Sequence, residues 1–156
     1  MNTLMDEIDG QGQVVKSNIT LGMYDQLPAG HQWVPHVQTL GEAQTDMNAQ
    51  IEIWRDAACQ VNVQSTVSGT VYNWQADQRS KDLLDSVLSL MSHGIAPPTI
   101  WRSADNINVA VAPADLIGIA GAMAGSTQAA YAHSWALKAS IFSDGVTVAQ
   151  VNAITW

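Results

Sequence analysis

The chain is 156 residues long, enough for one real core with a small appended segment. Six basic residues stand against fourteen acidic ones, a net charge of −8, which excludes a nucleic-acid or anionic-lipid surface because neutralising phosphates takes clustered Lys and Arg. Only 13% of residues are charged, against an average near ~25%, so Gln, Asn, Ser and Thr, or contacts with other chains, must cover much of the surface.

Residues 1–40 read as an extended N-terminal arm. The run Met1–Asp9 is acidic and lacks a basic-then-apolar signal layout, so synthesis and folding in a cytoplasm are expected. Gly10-Gln11-Gly12 is a turn signal, Val14–Leu21 a short strand at a sheet edge, and Leu27-Pro28-Ala29-Gly30 a second turn. Trp33-Val34-Pro35 is extended, because the residue before a proline is pushed out of the helical region. Such a segment buries little alone. It is expected to pack on the following domain or on a neighbouring subunit, with Trp33, Val34 and Pro35 as contact residues.

Residues 41–156 read as one α+β domain: a small antiparallel sheet of short hairpins packed against about three helices. Ala43, Met47, Ile51, Trp54 and Ala58 recur at steps of four, four, three and four, one helical stripe over Glu42–Cys59. Val61, Val63 and Val67 alternate with polar residues, and Ser68-Gly69-Thr70 turns the chain into Val71–Trp74, a hairpin. Asp77 stands where a structural N-cap belongs, and Leu83, Leu84, Val87, Leu88 and Met91 form the apolar face of the helix behind it, which stops at His93-Gly94. Ala96-Pro97-Pro98 is a rigid connector. Thr99–Arg102 and Ile107–Val111 form a second hairpin around Ala104-Asp105-Asn106.

Pro113 suits the first position of a last, long helix. Leu116, Ala120, Met123, Thr127, Ala130, Ser134, Leu137 and Ile141 keep a heptad-like spacing along it, for packing on its own sheet or for self-association around a symmetry axis. Gly118, Gly121 and Gly125 each cost about 1 kcal/mol against Ala, so a break near Gly125-Ser126 is expected. Asp144-Gly145 ends the helix, and a final turn returns Trp156 to the core or to an interface.

The stretch Gly69, Tyr72, Trp74, Asp77, Ser80, Leu83-Leu84, then Trp101, Asp105-Asn106, Ile107/Val109/Val111, Pro113-Ala114-Asp115-Leu116, Leu137-Lys138-Ala139 and Ala153-Ile154-Thr155-Trp156, resembles a domain of unknown function. That domain is common at the C-terminal end of bacteriophage tail, tail-fibre and tail-fibre assembly proteins, and the likeness covers roughly Ala43 to Trp156. It implies a virion protein, made in the host cytoplasm, that contacts other tail-fibre or baseplate proteins and forms a homo-oligomer, a trimer among the forms expected. It brings no catalytic residues.

The residues themselves offer little chemistry. The histidines (His31, His36, His93, His133) lack the spacing of a zinc-protease helix. His31 and His36 flank Trp33-Val34-Pro35, with no further metal ligands nearby in sequence. Cys59, the one cysteine, reads as a small inert hydrophobe. Asp6, Glu7 and Asp9 read as solvated, or as docking a basic partner, rather than as a calcium loop. No stretch approaches a membrane span. No phosphate loop, dinucleotide fingerprint or nucleophile elbow occurs, so no cofactor, no metal and no enzyme activity are expected. The six tryptophans favour protein contacts, with Trp33, Val34, Pro35 and Trp156 as the interface residues. An assembly chaperone and a glycan-binding receptor protein are the alternatives to a structural tail component.

Overall fold

The computed structural model describes residues 4–21 and 26–156, and the parts of the predicted arm at 1–3 and 22–25 lie outside the described residues. The chain divides into two compact units, Met1–Ala43 and Gln44–Trp156. Among the described residues the fold is α+β, with four helices and three small antiparallel sheets.

The first unit is more than an extended segment. It holds a three-stranded antiparallel sheet of β1 (Leu4–Ile8), β2 (Val14–Thr20) and β3 (Gln32–Pro35), in the order β2-β1-β3. The β1–β2 turn is closed by Asp9, whose Oδ1 accepts from the backbone N–H of Gln11 (2.9 Å) and Gln13 (2.8 Å) while Gly12 adopts φ +79°. Irregular register between Met5 and Ile8 breaks the ladder, and Asn18 sits at φ 59° on the partner strand. That is the signature of a β-bulge, which leaves backbone groups without ladder partners.

The second unit is built on the hairpin of β4 (Val63–Val67) and β5 (Thr70–Trp74). Val63 pairs with Trp74 and Val67 with Thr70, while Ser68 and Gly69 make the turn at φ 49° and 82°. The buried face of this hairpin supplies Val63, Val67 and Trp74 to the core. Trp74 is wholly buried, and its indole N–H donates to Ser65 Oγ at 2.9 Å, the partner a buried indole requires. The second hairpin, β6 (Ile100–Arg102) and β7 (Asn108–Ala110), adds Val109, and the Ala104 N–H donates to Asn73 O at 2.8 Å.

Helices α1 (Leu40–Ala58), α2 (Gln78–Ser92) and α3 (Pro113–Ile141) follow, with a short α4 (Val148–Asn152) near the end. α2 starts at Asp77, whose carboxylate accepts from Ser80 N–H at 2.9 Å, and stops at Gly94 with φ +79°. Leu84 is buried and Val87, Leu88 and Met91 pack on the core, but Leu83, expected on the same face, is 56% exposed. α3 opens with Pro113 and with Asp115, which accepts from Ala112 N–H at 2.7 Å. The expected break near Gly125 does not occur. The helix runs unbroken to Ile141, short of Asp144-Gly145, because Leu116, Ile119, Met123, Ala130, Ser134 and Ile141 are buried along one side, and that burial outweighs the poor propensity of its glycines. Thr147 and Gln150 form a reciprocal capping box that opens α4.

Candidate functional site

The densest polar cluster lies in the first unit. Asp6 and Glu7 are buried on β1, at 8% and 2% exposure, where the sequence suggested solvated carboxylates. Asp6 sits opposite the bulge. Its Oδ1 accepts from Asn18 N–H (2.9 Å), from Ser17 Oγ (2.7 Å) and from His36 Nδ1 (2.7 Å), replacing the partners the broken ladder withholds. The Asn18 N–H, helped by Ser17 and His36 against the opposing effect of burial, holds the Asp6 carboxyl below its ordinary range.

Glu7 meets His31 Nδ1 at 2.7 Å and Lys16 Nζ at 3.3 Å. Burial pushes its carboxyl up, but the bonds from His31 and Lys16 outweigh this, and the net shift is downward. His36 closes the cluster with its Nε2 3.1 Å from Glu42 Oε2. Glu42 also accepts from Thr39 N–H and Thr39 Oγ1, both at 2.8 Å, and the Thr39 N–H leads in lowering its carboxyl. Thr39 and Glu42 therefore cap α1, while Glu42 also anchors the histidine.

A carboxylate at each ring nitrogen favours the protonated form of His36. The hydrogen bond to Asp6 leads in raising its pKa, against burial. A histidine committed in this way has no free lone pair with which to take a proton from a substrate. The cluster thus fixes β1 to β3 and to the start of α1.

The predicted contact residues are placed as follows. Trp33 pairs with Glu7, Val34 with Asp6 and Pro35 with Met5, so all three lie on β3, an edge strand of the sheet. Trp33 and Val34 are half-buried and Pro35 is exposed. Trp156 is 41% exposed, and its ring stands edge-on to His133 with centroids 4.7 Å apart. Asp77 caps α2, also accepting from Ser80 Oγ at 3.1 Å; the Ser80 N–H leads in lowering its carboxyl.

Sequence reasoning passed over β1, because Leu4-Met5-Asp6-Glu7-Ile8 has no apolar alternation. It also passed over Lys81. From α2, Lys81 Nζ donates to the Cys59 carbonyl past the end of α1 (2.6 Å) and to Thr127 Oγ1 on α3 (2.9 Å), a cation placed where a helix C-terminus favours one. It lines a groove of about 320 Å³ between α2 and α3 together with Leu84, Met123 and Gln128. The one usable signal was its spacing, since Lys81 falls four residues after the α2 cap.

No curated protein and no solved structure matches the chain. A family model, described as "Domain of unknown function (DUF4376)", matches residues 42–155. The matched segment takes in all but the first two residues of α1, then α2 to α4 with both of the two-stranded hairpins, and the chain belongs to that family.

Proposed function

We propose that the chain is a non-enzymatic structural component of a bacteriophage tail, in the tail fibre or baseplate, acting through protein–protein contacts. The tail context rests on the resemblance carried by Gly69–Leu84 and the segments after it. The observation that carries the mode of action is the amount of large apolar surface left in water. Trp135 is 63% exposed, Ile53 62%, Ile117 58%, Phe142 57% and Trp156 41%. Exposed apolar residues that gather into a patch mark surfaces that meet other proteins, and aromatic residues are enriched in such surfaces. The commitment of His36 to two carboxylates supports a structural rather than catalytic use of the polar cluster.

In this reading Trp33, Val34 and Pro35 on the β3 edge, and Trp156, contact neighbouring tail proteins, an edge strand being a ready acceptor of a further strand. Quantitative mass spectrometry of purified virions beside the infected-cell lysate tests the proposal. The chain is expected in particles at a fixed copy number relative to the tail proteins. Abundance in the lysate with absence from particles would refute it and point to an assembly chaperone.

A further inference from the structure

α3 carries a second apolar face that its own unit leaves largely open, with only the Arg55 guanidinium of α1 over the Tyr131 ring, 4.8 Å from its centroid. At about 100° per residue, Ile117, Tyr131 and Trp135 fall on one line of the helix, and they are 58%, 38% and 63% exposed. Beside that line run Gly121 and Gly125, exposed, with nothing within 4 Å of where a Cβ would stand. Among the described residues no contact requires glycine at either position. α3 has two charged side chains, both occupied elsewhere: Asp115 accepts from Ala112 N–H, and Lys138 pairs with Glu52 at 2.7 Å.

We propose that this face is the interface between two copies of the chain, packed as an antiparallel two-fold pair of α3 helices. Three observations favour a second copy over another occupant. The first is size complementarity. Setting the two-fold axis at Gln128 brings Trp135 opposite the partner's Gly121, Tyr131 opposite the partner's Gly125, and Ile117 opposite the partner's Ala139, a large side chain facing a small one each time. A parallel pair would put tryptophan on tryptophan and glycine on glycine. At the axis Gln128 meets its own copy, and a primary amide can donate to and accept from its twin.

The second is charge. Two copies of a chain with net charge −8 repel each other; no side chain of α3 on this line is charged, and the one cation beside it, Arg55 over Tyr131, is already paired with Asp56 at 2.7 Å. The third is area. A helix of 29 residues is about 43 Å long, and half the perimeter of a ~10 Å cylinder is about 16 Å. Each copy could then bury up to roughly 700 Å², close to the ~800 Å² per partner of a stable interface. The inference rests on α3 alone and does not depend on the tail reading.

The test uses the full chain. Sedimentation equilibrium should give twice the 16.7 kDa chain mass at micromolar concentration. Gly121→Glu introduces a charge where the partner's Trp135 would lie, and should weaken association at least about 100-fold with helicity by circular dichroism unchanged. Trp135→Ser, at a side chain the single chain leaves 63% exposed, should do the same and guards against a folding defect in the first variant. On a Cys59→Ser background, Gln128→Cys should form an intermolecular disulfide under mild oxidation. Ile117→Cys should not, since the two thiols would be about 33 Å apart along the axis (22 residues at 1.5 Å). A wild-type monomer at about 100 μM, a trimer, a dimer that survives both Gly121→Glu and Trp135→Ser, or a disulfide through Ile117→Cys would each overturn the proposal.

Discussion

Leu83 and Leu84 are neighbours on α2 with opposite surroundings. Leu84 is 1% exposed among Val67, Trp74, Leu116 and Met123 of the core, whereas Leu83 is 56% exposed. Truncating Leu84→Ala removes buried methyl groups and leaves a cavity, so it should cost about 2–5 kcal/mol in urea unfolding. Leu83→Ala should stay within about 0.5 kcal/mol. Apolar spacing places both on one face; only the packing of the core shows which of them it receives.

The ionisable residues of the first unit set a pH window. Asp6, Glu7 and Glu42 have lowered pKa values. Their contribution is full above their ordinary values, near 4 to 4.5, and is lost as pH falls through the lowered ones. His36 is raised, so its contribution is full below its ordinary value near 6.5 and is lost as pH rises through the raised one. The sheet of β1 to β3 should therefore be most stable between about pH 4.5 and 6.5. His36→Gln should flatten the alkaline side of that profile more than the acid side. Stability measured by urea across pH, with the His36 ring followed by NMR, checks both; an alkaline side unchanged by His36→Gln would contradict the assignment.

At the scale of elements, the parts with local chemistry could be read from the chain. Asp77, Ser68-Gly69, Asp105-Asn106 and Pro113 each have a side chain or backbone requirement that specifies a cap or a turn at that place. Gly94 is of this kind, with φ +79° at the end of α2. Gly94→Ala should lower stability by about 1 kcal/mol, read as a shifted urea midpoint, and no change would mean that the helix can end in another way.

What long-range contacts decide was not legible. β1 has no apolar alternation because its buried positions are carboxylates, and their partners lie 9 to 30 residues away. The continuity of α3 through Gly125 also depends on distant partners, the buried line of Leu116, Met123 and Ile141. The candidate contact residues were recognisable by type, but Trp135 and Ile117 gained importance only once the helix showed which side it buries.

At the scale of the molecule, the chain combines a small sheet stitched by histidine–carboxylate pairs with a larger unit that has its own core. The larger unit contains nearly all of the family match at 42–155. The central claim is that such surfaces serve attachment to other tail proteins, with β3 as one point of contact. Its most direct measurement is incorporation of a chain lacking residues 1–38 into virions, a cut that keeps Thr39 to cap α1. The account predicts that the shortened chain keeps its helical circular dichroism and is missing from purified particles, while the full chain is present. A shortened chain that enters particles at the normal copy number would contradict it.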